Sequence, residues 1–201
     1  MDRARSRQDR TALRTGFTTG ANACAAACAA TRVLLEEQLE AWEGPLPEAI
    51  AHRFDAVAGA VEICIPNGDR VRFPVREVRV EAGRTAWASV VKDAGDDPDC
   101  THRATIWARV ELTRTPGVRL RRGEGVGVVT RPGLGIPMGE PSITAPPRAN
   151  IAAEVSALLP AGTGAVVTVG IENGEELAKK TLNARLGVVG GLSILGTTGI
   201  V

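Results

Sequence analysis

The sequence predicts an α+β protein whose mixed sheet is built from hairpins plus a β-α-β unit, with an Ala-rich N-terminal helix packed on it. Residues 21–39 are dense in Ala, Leu and Glu and contain no Gly or Pro, which predicts a helix. Residues 61–91 alternate around turn sequences, which predicts hairpins. Residues 165–171 and 186–189 are apolar runs on either side of a short predicted helix at residues 175–182, which predicts a β-α-β unit with parallel strands.

The predicted helix begins after Thr18, Thr19 and Gly20. Its first turns are nearly all Ala and Cys, so this end can lie close against another element, while the threonine hydroxyls can cap free backbone N–H groups. An uncovered helix N-terminus with flanking hydroxyls also suits an anion. Cys24 and Cys28 lie one helical turn apart, which allows a metal pair, but small buried residues explain them better.

Two hairpins are expected next. Residues 61–65 and 71–75 flank the turn sequence Asn67-Gly68, which supplies the positive φ values that tight turns require. Residues 78–80 and 85–91 flank a second turn at residues 82–84. Residues 42–52, with one Gly and two Pro, are interpreted as a connection, and the alternation over residues 104–112 predicts a strand with one buried face.

Four acids lie within seven positions between two of these strands: Asp93, Asp96, Asp97 and Asp99. Like charges this close repel one another, so the cluster is either a solvated turn, which we favour, or a site that meets cations or a reacting proton. Close carboxylates also raise one another's pKa. If the cluster lines a cleft, one acid is therefore expected to stay protonated near neutrality and to act as an acid.

Glycine-rich segments follow at residues 123–139 and 190–199, and the first also contains prolines. Glycines permit backbone angles that other residues avoid, and prolines fix φ, so such a segment suits a loop that approaches a ligand closely or faces the acidic cluster. Residues 191–197 have the glycine spacing of a phosphate loop, but Thr197 stands where the lysine belongs, which argues against a nucleoside triphosphatase. A small-molecule kinase that uses residues 123–127 as its phosphate loop is a further alternative, which the missing phosphate-loop lysine motif weakens. A nest of backbone N–H groups is still compatible with this segment. Between the two segments, residues 151–159 predict a helix with an apolar stripe.

Composition excludes several classes of function. A hydrophobic fraction of 44% with 23% charged residues is typical of a globular protein, and the net charge of +1 provides no field for nucleic acid or an anionic membrane. Four cysteines without Cys-x-x-Cys spacing, and a start without an apolar segment, predict reduced thiols in a cytoplasmic protein. No apolar run reaches the roughly 20 residues that span a bilayer. We expect a disordered tail at residues 1–12 and one domain at residues 13–201.

Four segments together resemble a known family: residues 14–20 with the Ala-rich helix, residues 92–101, residues 123–141 with Pro147-Arg148, and residues 174–201. The last is the most specific, because it holds the string Glu176-Leu177-Ala178-Lys179-Lys180-Thr181 with Asn183 and ends in Gly196-Thr197-Thr198-Gly199-Ile200-Val201. The chain resembles the CbiD family, the cobalt-precorrin-5B (C1)-methyltransferases of anaerobic cobalamin synthesis. Arg103 and Thr144 depart from the family's usual glycine and asparagine.

The resemblance implies methyl transfer from S-adenosylmethionine to carbon 1 of a cobalt-bearing tetrapyrrole, giving cobalt-precorrin-6A. Cobalt arrives with the substrate, so no protein metal site is expected. Family members continue beyond the equivalent of Val201, so the chain is expected to be the N-terminal portion and to be inactive alone. The alternative is a catalytically inert tetrapyrrole-binding or assembly module, and a homo-oligomer is one open possibility for the assembly.

The resemblance also directs the choice of candidate residues. The catalytic candidates are the acids Asp93, Asp96, Asp97, Asp99 and Glu140, which the sequence does not rank. The candidates for the acidic arms of the substrate are Arg14, Thr18, Thr19, Gly20, Lys92, Arg131 and Arg148. The candidates for S-adenosylmethionine are Gly123, Gly125, Gly127, Gly190, Gly191, Ser193, Gly196, Thr197 and Thr198.

Overall fold

A computed structural model describes residues 13–40, 59–81 and 84–201. The expected tail at residues 1–12 and the expected connection at residues 42–52 lie outside the described residues. The described helices are α1 (Thr19–Glu40), α2 (Ala145–Ser156) and α3 (Gly174–Ala178). The strands are β1 (Ala60–Cys64), β2 (Arg70–Pro74), β3 (Glu77–Glu81), β4 (Thr85–Val91), β5 (Thr105–Thr113), β6 (Gly117–Arg122), β7 (Val128–Val129), β8 (Gly164–Ile171) and β9 (Val188–Val189).

A five-stranded mixed sheet with the order β3-β4-β5-β8-β6 forms the centre of the fold. The first four strands pair antiparallel, and β6 pairs parallel with β8 at the edge. The predicted hairpins are confirmed, since β1 pairs with β2 and β3 pairs with β4. Because both hairpins are local, their pairing follows directly from the turn residues and the alternation.

Helix α1 packs on one face of this sheet, which confirms the predicted α+β class. It contacts β4 and β5 and also α2. The residues from Ala23 to Ala30 are almost completely buried, because side chains no larger than Ala or Cys let the helix lie close to the sheet. From the sheet, Ala86, Ala88 and Val90 of β4 and Ile106 of β5 complete this core.

The predicted β-α-β unit at residues 165–189 is wrong. Strand β9 is two residues long and pairs antiparallel with β7 in a separate small sheet, so it does not join β8. The parallel pair of the fold is β6 with β8, and the crossover between them contains α2. Strand β6 was not predicted, because Arg119, Arg121 and Arg122 give it too few apolar residues for a buried strand.

Two helices differ from their predicted bounds. Helix α2 begins at Ala145 rather than Ile151, with Pro146 and Pro147 in its first turn, where a missing N–H costs nothing. Helix α3 has five residues and ends at Ala178, earlier than the predicted residue 182. Within the described residues, none of the helices has the length and apolar character that crossing a membrane requires.

Candidate functional site

A cavity of about 340 Å³ lies where three distant segments meet: the start of α1, the loop from β4 to β5, and the segment after α3. We call it the threonine cavity, because four of its lining side chains are threonines. Its lining residues are Thr18, Thr19, Asp99, Cys100, Thr101, Thr181, Asn183, Leu192, Ser193, Leu195, Gly196 and Val201. The cavity thus joins predicted substrate residues, one predicted catalytic acid and two predicted cofactor residues.

The start of α1 is largely satisfied by the protein itself. Ala21 N donates to Thr18 Oγ1 at 3.2 Å, so Thr18 is the N-cap. Gly20 N donates to the Leu195 carbonyl at 2.9 Å, and Gly20 packs against Pro147 so closely that a Cβ would lie 2.8 Å from its ring. These two N–H groups therefore already have partners, and an anion at this helix start stays a prediction that must use other donors.

A buried ion pair borders the cavity. The side chain of Lys92 is fully buried, and its Nζ donates to Asp99 Oδ2 and, at 2.7 Å, to Thr101 Oγ1. Thr101 in turn donates to Asp99 Oδ1 from its backbone N–H and from its hydroxyl, both at 2.7 Å. The hydroxyls of Thr101 and Thr19 are 3.4 Å apart, which joins this network to the start of α1.

This network keeps Asp99 ionised. Partial burial by itself would raise the pKa of Asp99, but the hydrogen bonds from Lys92 and from the backbone and hydroxyl of Thr101 outweigh it and lower the pKa below its usual range. Burial also raises the pKa of the neighbouring Cys100 thiol, and the charge of Asp99 adds to that effect. The cavity therefore holds a carboxylate next to a neutral thiol.

Asp93 is ionised too, by a different partner. Arg14 donates to both oxygens of Asp93, with Nη2 to Oδ1 at 2.9 Å, and Gly95 N donates to Oδ1 at 2.9 Å. The hydrogen bond from Arg14, followed by that from Gly95, lowers the pKa of Asp93 to about 2. The expectation that neighbouring acids keep one another protonated is therefore wrong for Asp93 and Asp99, because each carboxylate has its own cation.

The four acids separate into two groups. Asp93, Asp96 and Asp97 are exposed, and Asp96 Oδ2 accepts from the Arg14 backbone N–H at 2.7 Å. These three fit the solvated turn that the sequence favoured, whereas Asp99 alone among the four lines the threonine cavity. The loop ends at Arg103, whose φ of 63° lies in the left-handed region. A glycine, the residue that the resemblance leads us to expect at this position, adopts this conformation without strain.

The glycines at residues 123–127 and 190–191 lie close to other parts of the protein, against backbone at Gly125 and Gly191 and against side chains at Gly123, Gly127 and Gly190. A Cβ on Gly125 would lie 2.0 Å from the Ile171 carbonyl oxygen, and one on Gly191 would lie 2.3 Å from the Gly125 carbonyl oxygen. Gly123 similarly packs on Trp107 and Gly127 on Val188. Close packing therefore explains these glycines, and a role of Gly123, Gly125, Gly127, Gly190 and Gly191 in cofactor binding stays a prediction.

Three other candidates lie away from the threonine cavity. Arg131 and Glu140 are on the exposed segment after β7, where the Arg131 stem packs on Gly187. Arg148 is half-buried in α2. None of the three is among the residues that line the cavity. Of the two glycine-rich segments, only residues 190–199 line the threonine cavity together with Asp99 of the acidic loop.

The segment at residues 193–198 contributes one wall of the cavity. Ser193 Oγ lies 2.8 Å from Ser142 Oγ, and Gly196 packs so closely on Thr18 that a Cβ would lie 2.3 Å from the threonine hydroxyl. Thr197 and Thr198 are exposed, and the Thr198 carbonyl accepts from the Asn67 N–H of the first hairpin turn at 3.0 Å. Ser193 and Gly196 thus line the cavity, while Thr197 and Thr198 lie outside it.

Four polar residues of the cavity were not among the candidates from the sequence: Cys100, Thr101, Thr181 and Asn183. Thr101 follows Asp99 at the spacing of a local side-chain turn, which is a usable signal. Thr181 and Asn183 stand in the string that carries the family resemblance, so the resemblance already contained them. Asn183 Nδ2 donates to the Gly191 carbonyl at 3.4 Å, which ties this wall to the glycine-rich segment.

Metal ligands are not grouped in the described part of the chain, where no three His, Cys, Asp or Glu residues come together as an ion site. Cys24 and Cys28 are both buried in α1. The hydrogen bond between the Cys24 thiol and Cys28, together with burial, raises the pKa of Cys24. A smaller cavity of about 150 Å³ beside Cys28, Arg32 and Glu154 contains none of the predicted site residues.

The fold and the cavity define an α+β protein with a polar cavity, the candidate small-molecule site, at the start of its N-terminal helix. The family model for CbiD matches residues 6–201, and the chain belongs to the CbiD family. A cobalt-precorrin-5B C(1)-methyltransferase of Leptospira borgpetersenii serovar Hardjo-bovis (strain JB197) is 48% identical over 191 residues, which cover 94% of this chain and 47% of the relative. One of Burkholderia ambifaria (strain MC40-6) is 54% identical over 146 residues, covering 71% and 40%.

A solved structure agrees with the fold. The 1.9 Å crystal structure of the cobalamin biosynthesis protein CbiD from Archaeoglobus fulgidus matches with a TM-score of 0.62 and 32% identity, over 94% of this chain and 54% of that chain. The chain thus spans about half the length of the relatives that it matches.

Proposed function

We propose that this chain takes part in methyl transfer from S-adenosylmethionine to carbon 1 of cobalt-precorrin-5B, giving cobalt-precorrin-6A, in anaerobic cobalamin synthesis. The names of the related proteins support the reaction. The observation that carries the proposal is the threonine cavity, where candidate residues from three distant segments converge on one small-molecule site. A biosynthetic enzyme of this kind is expected to act in the cytoplasm.

The cavity suits the methyl donor better than the tetrapyrrole. A volume of about 340 Å³ is near the lower limit for small-molecule sites, so it can hold a nucleoside-sized group but not a whole macrocycle. Asp99 at its wall is ionised and can accept a hydrogen bond from the donor, while its charge is balanced by the buried Lys92. We therefore place the donor in the cavity and the macrocycle over its mouth.

The residues of the cavity contribute alignment. Methyl transfer to a ring carbon is an in-line displacement at a sulfonium methyl, so the protein mainly orients the two reactants and excludes water. The hydroxyls of Thr19 and Ser193 and the carboxylate of Asp99 can accept hydrogen bonds from a nucleoside. Since Asp99 is ionised, it accepts hydrogen bonds and does not act as a proton donor.

The acidic arms of the substrate need other cations. Lys92 is buried in its pair with Asp99, and Arg14 is paired with Asp93, so neither is a free counter-ion. Arg131 and Arg148 are the remaining arginine candidates, and Arg131 is exposed. We propose that these two arginines hold arms of the macrocycle as charge-assisted hydrogen-bond donors.

The binding half of the proposal is tested by calorimetry with S-adenosylmethionine. In the double variant Thr19→Val with Ser193→Ala, two hydroxyls are lost from the cavity wall, and we expect affinity to fall by about tenfold or more. Thr197→Val, on the exposed part of the same segment, is the matched control and is expected to bind as the wild type does. Equal affinity of the double variant and the control would remove the donor from this cavity.

The catalytic half is tested by incubating the chain with cobalt-precorrin-5B and S-adenosylmethionine and following the methylated product by mass spectrometry. Transfer supports an enzyme. Binding of the tetrapyrrole without transfer fits both a tetrapyrrole-binding module and an N-terminal portion that is inactive alone, and absence of tetrapyrrole binding would contradict the proposal. Arg131→Gln is expected to weaken tetrapyrrole binding and to leave affinity for the donor unchanged.

A further inference from the structure

A second cavity, of about 410 Å³, lies on the other face of the central sheet. Along β4, Ala86, Ala88 and Val90 face the core, so the alternating Trp87 and Ser89 face outward. Trp107 of β5 faces outward for the same reason. We call this the tryptophan cavity. Neither its location nor its residues overlap the threonine cavity on the helix-covered face.

The floor of the tryptophan cavity is aromatic. The ring centroids of Trp87 and Trp107 are 6.4 Å apart and their planes differ by 29°. Trp107 lies flat on the sheet, because Cβ atoms on Gly170 and Gly123 would come within 2.0 Å and 2.6 Å of its ring. Two glycines therefore make room for one indole, and the result is an extended aromatic surface bordering the cavity.

The surface already binds one cation of the protein itself. The guanidinium carbon of Arg79 stands 3.9 Å from the ring centroid of Trp87, which is a cation–π contact. An aromatic face attracts cations because its π electrons carry partial negative charge. The same attraction is available from Trp107, which borders the cavity.

The rim of the cavity has an excess of negative charge. Three carboxylates border it, those of Glu77, Glu124 and Glu172, against one guanidinium, that of Arg76. Glu77 pairs with Arg79 at 2.8 Å, and Arg76 donates to Thr105 Oγ1 at 2.8 Å. Within the described residues, Glu124 and Glu172 form no ion pair, so two carboxylates are left to attract a cation.

One polar group at the cavity lacks a partner. The hydroxyl of Ser89 is buried, with the residue only 1% exposed, and it forms no hydrogen bond within the described part of the chain. A buried unpaired hydroxyl is costly, typically by about 1–3 kcal/mol. A ligand whose own hydroxyl or amino group reaches Ser89 would remove that cost.

We propose that the tryptophan cavity binds a small organic cation, a quaternary ammonium with a polar arm. The methylated ammonium would contact the indole surface of Trp107, Glu124 and Glu172 would balance its charge, and the arm would reach Ser89. A metal ion gains little from two indoles, an anion is repelled by the rim, and a neutral ring leaves the carboxylates uncompensated. The proposal stands independently of methyl transfer, because the two cavities lie on opposite faces of the sheet.

The probe is choline, compared by calorimetry with 3,3-dimethylbutan-1-ol, which has the same shape without the charge. We expect choline to bind with at least tenfold higher affinity. Saturating S-adenosylmethionine is expected not to displace choline, because the two ligands are proposed to bind in different cavities. Loss of choline binding therefore refutes only the tryptophan cavity, and loss of S-adenosylmethionine binding refutes only the threonine cavity. Similar affinities of choline and the neutral alcohol, or no choline binding up to millimolar concentration, would overturn the proposal.

Variants assign the binding to the cavity. The double variant Glu124→Gln with Glu172→Gln changes two exposed side chains and is expected to weaken choline binding about tenfold, whereas Glu111→Gln, exposed on the same face, is the matched control. Trp107→Leu should have a similar effect to the double variant. If Trp107→Leu fails to fold, the glutamate variants still decide the proposal.

Ser89→Ala tests the polar arm. We expect it to weaken binding of choline several-fold and to leave binding of tetramethylammonium, which has no hydroxyl, unchanged. Unchanged affinity for choline in both Ser89→Ala and the double glutamate variant would place choline elsewhere on the protein and refute the site.

Discussion

Replacing Lys92 with methionine tests the ion pair beneath the threonine cavity. The side chain of Lys92 is fully buried and pairs with Asp99, whose side chain is 24% exposed. Removing one partner of a buried ion pair costs about 3–5 kcal/mol, because the other charge is left without compensation. Since water reaches part of Asp99, we expect the lower value for Lys92→Met, about 3 kcal/mol, or roughly 6–12 °C in Tm for a chain of this size.

The assay is urea denaturation with thermal melting at neutral pH. Adding Asp99→Asn to Lys92→Met should recover most of the loss, because the amide oxygen can still accept from Thr101 and no charge is left unpaired. Arg70→Gln, which breaks a surface pair with Glu62, is the control and should cost less than about 1 kcal/mol. Additive losses in the double variant, or a cost of Lys92→Met equal to that of the control, would refute the reasoning.

The same variant should reduce a pH dependence of stability. In the wild type the pKa of Asp99 is lowered, so its stabilising effect is present above the pKa of the unfolded state and is lost as pH falls through the folded value. Without Lys92, its hydrogen bond and its charge no longer lower the pKa of Asp99, so this pKa is expected to be higher in the variant than in the wild type. The stability deficit of Lys92→Met should therefore shrink as pH falls towards about 4.

Three further predictions concern other parts of the fold. Gly125→Ala is expected to lower the free energy of unfolding by about 3 kcal/mol or more, because the new Cβ would lie 2.0 Å from a carbonyl oxygen at a φ of 75°. Gly133→Ala places its Cβ where no atom lies within 4 Å and should lower it by about 1 kcal/mol. Urea denaturation of both variants measures the difference, and equal losses would show that the close contact does not matter. Ser89→Ala should raise the free energy of unfolding by about 1 kcal/mol, since it removes a buried unpaired hydroxyl, and an unchanged or lower Tm would contradict this. Arg14→Gln should raise the pKa of Asp93 from about 2 towards its usual value. The wild type loses stability as pH falls from about 4 to 2, and this loss should be smaller in the variant, by less than about 1 kcal/mol because Asp93 is half exposed. Identical acid titrations of the two proteins would show that the ion pair of Arg14 with Asp93 does not contribute to stability.

Most of the candidate site residues were identified from the segments that resemble the family, and the sequence did not show how these segments meet in space. Thr18, Thr19, Asp99, Ser193 and Gly196 were all candidates from the sequence, and the structure brings them to one cavity. Their distances from one another along the chain gave no indication that they meet. Among the other polar wall residues, Thr101 had only the signal of a local side-chain turn with Asp99, which shows a turn but does not show that it lines a cavity.

The sequence by itself determined the elements whose energies are local. An uninterrupted Ala-rich run favours a helix through backbone propensity, and Asn67-Gly68 favours a hairpin through its φ values, so α1 and the β1–β2 pair follow from neighbours in the chain. The α+β class follows from these elements together, because a helix and a sheet with apolar faces must cover each other.

Only the tertiary structure decided the pairing of strands and the charge of the acids. Strands β8 and β9 are both apolar, but β8 pairs with the Arg-rich β6 and not with β9. This pairing depends on the crossover through α2 that connects β6 to β8, and the residues of the strands themselves do not indicate it. Asp93 and Asp99 are alike in sequence, yet Asp93 meets Arg14 from 79 positions away and Asp99 meets a lysine that the fold buries. A carboxylate's pKa follows its nearest partner in space, and the chain order of four clustered acids cannot supply that partner.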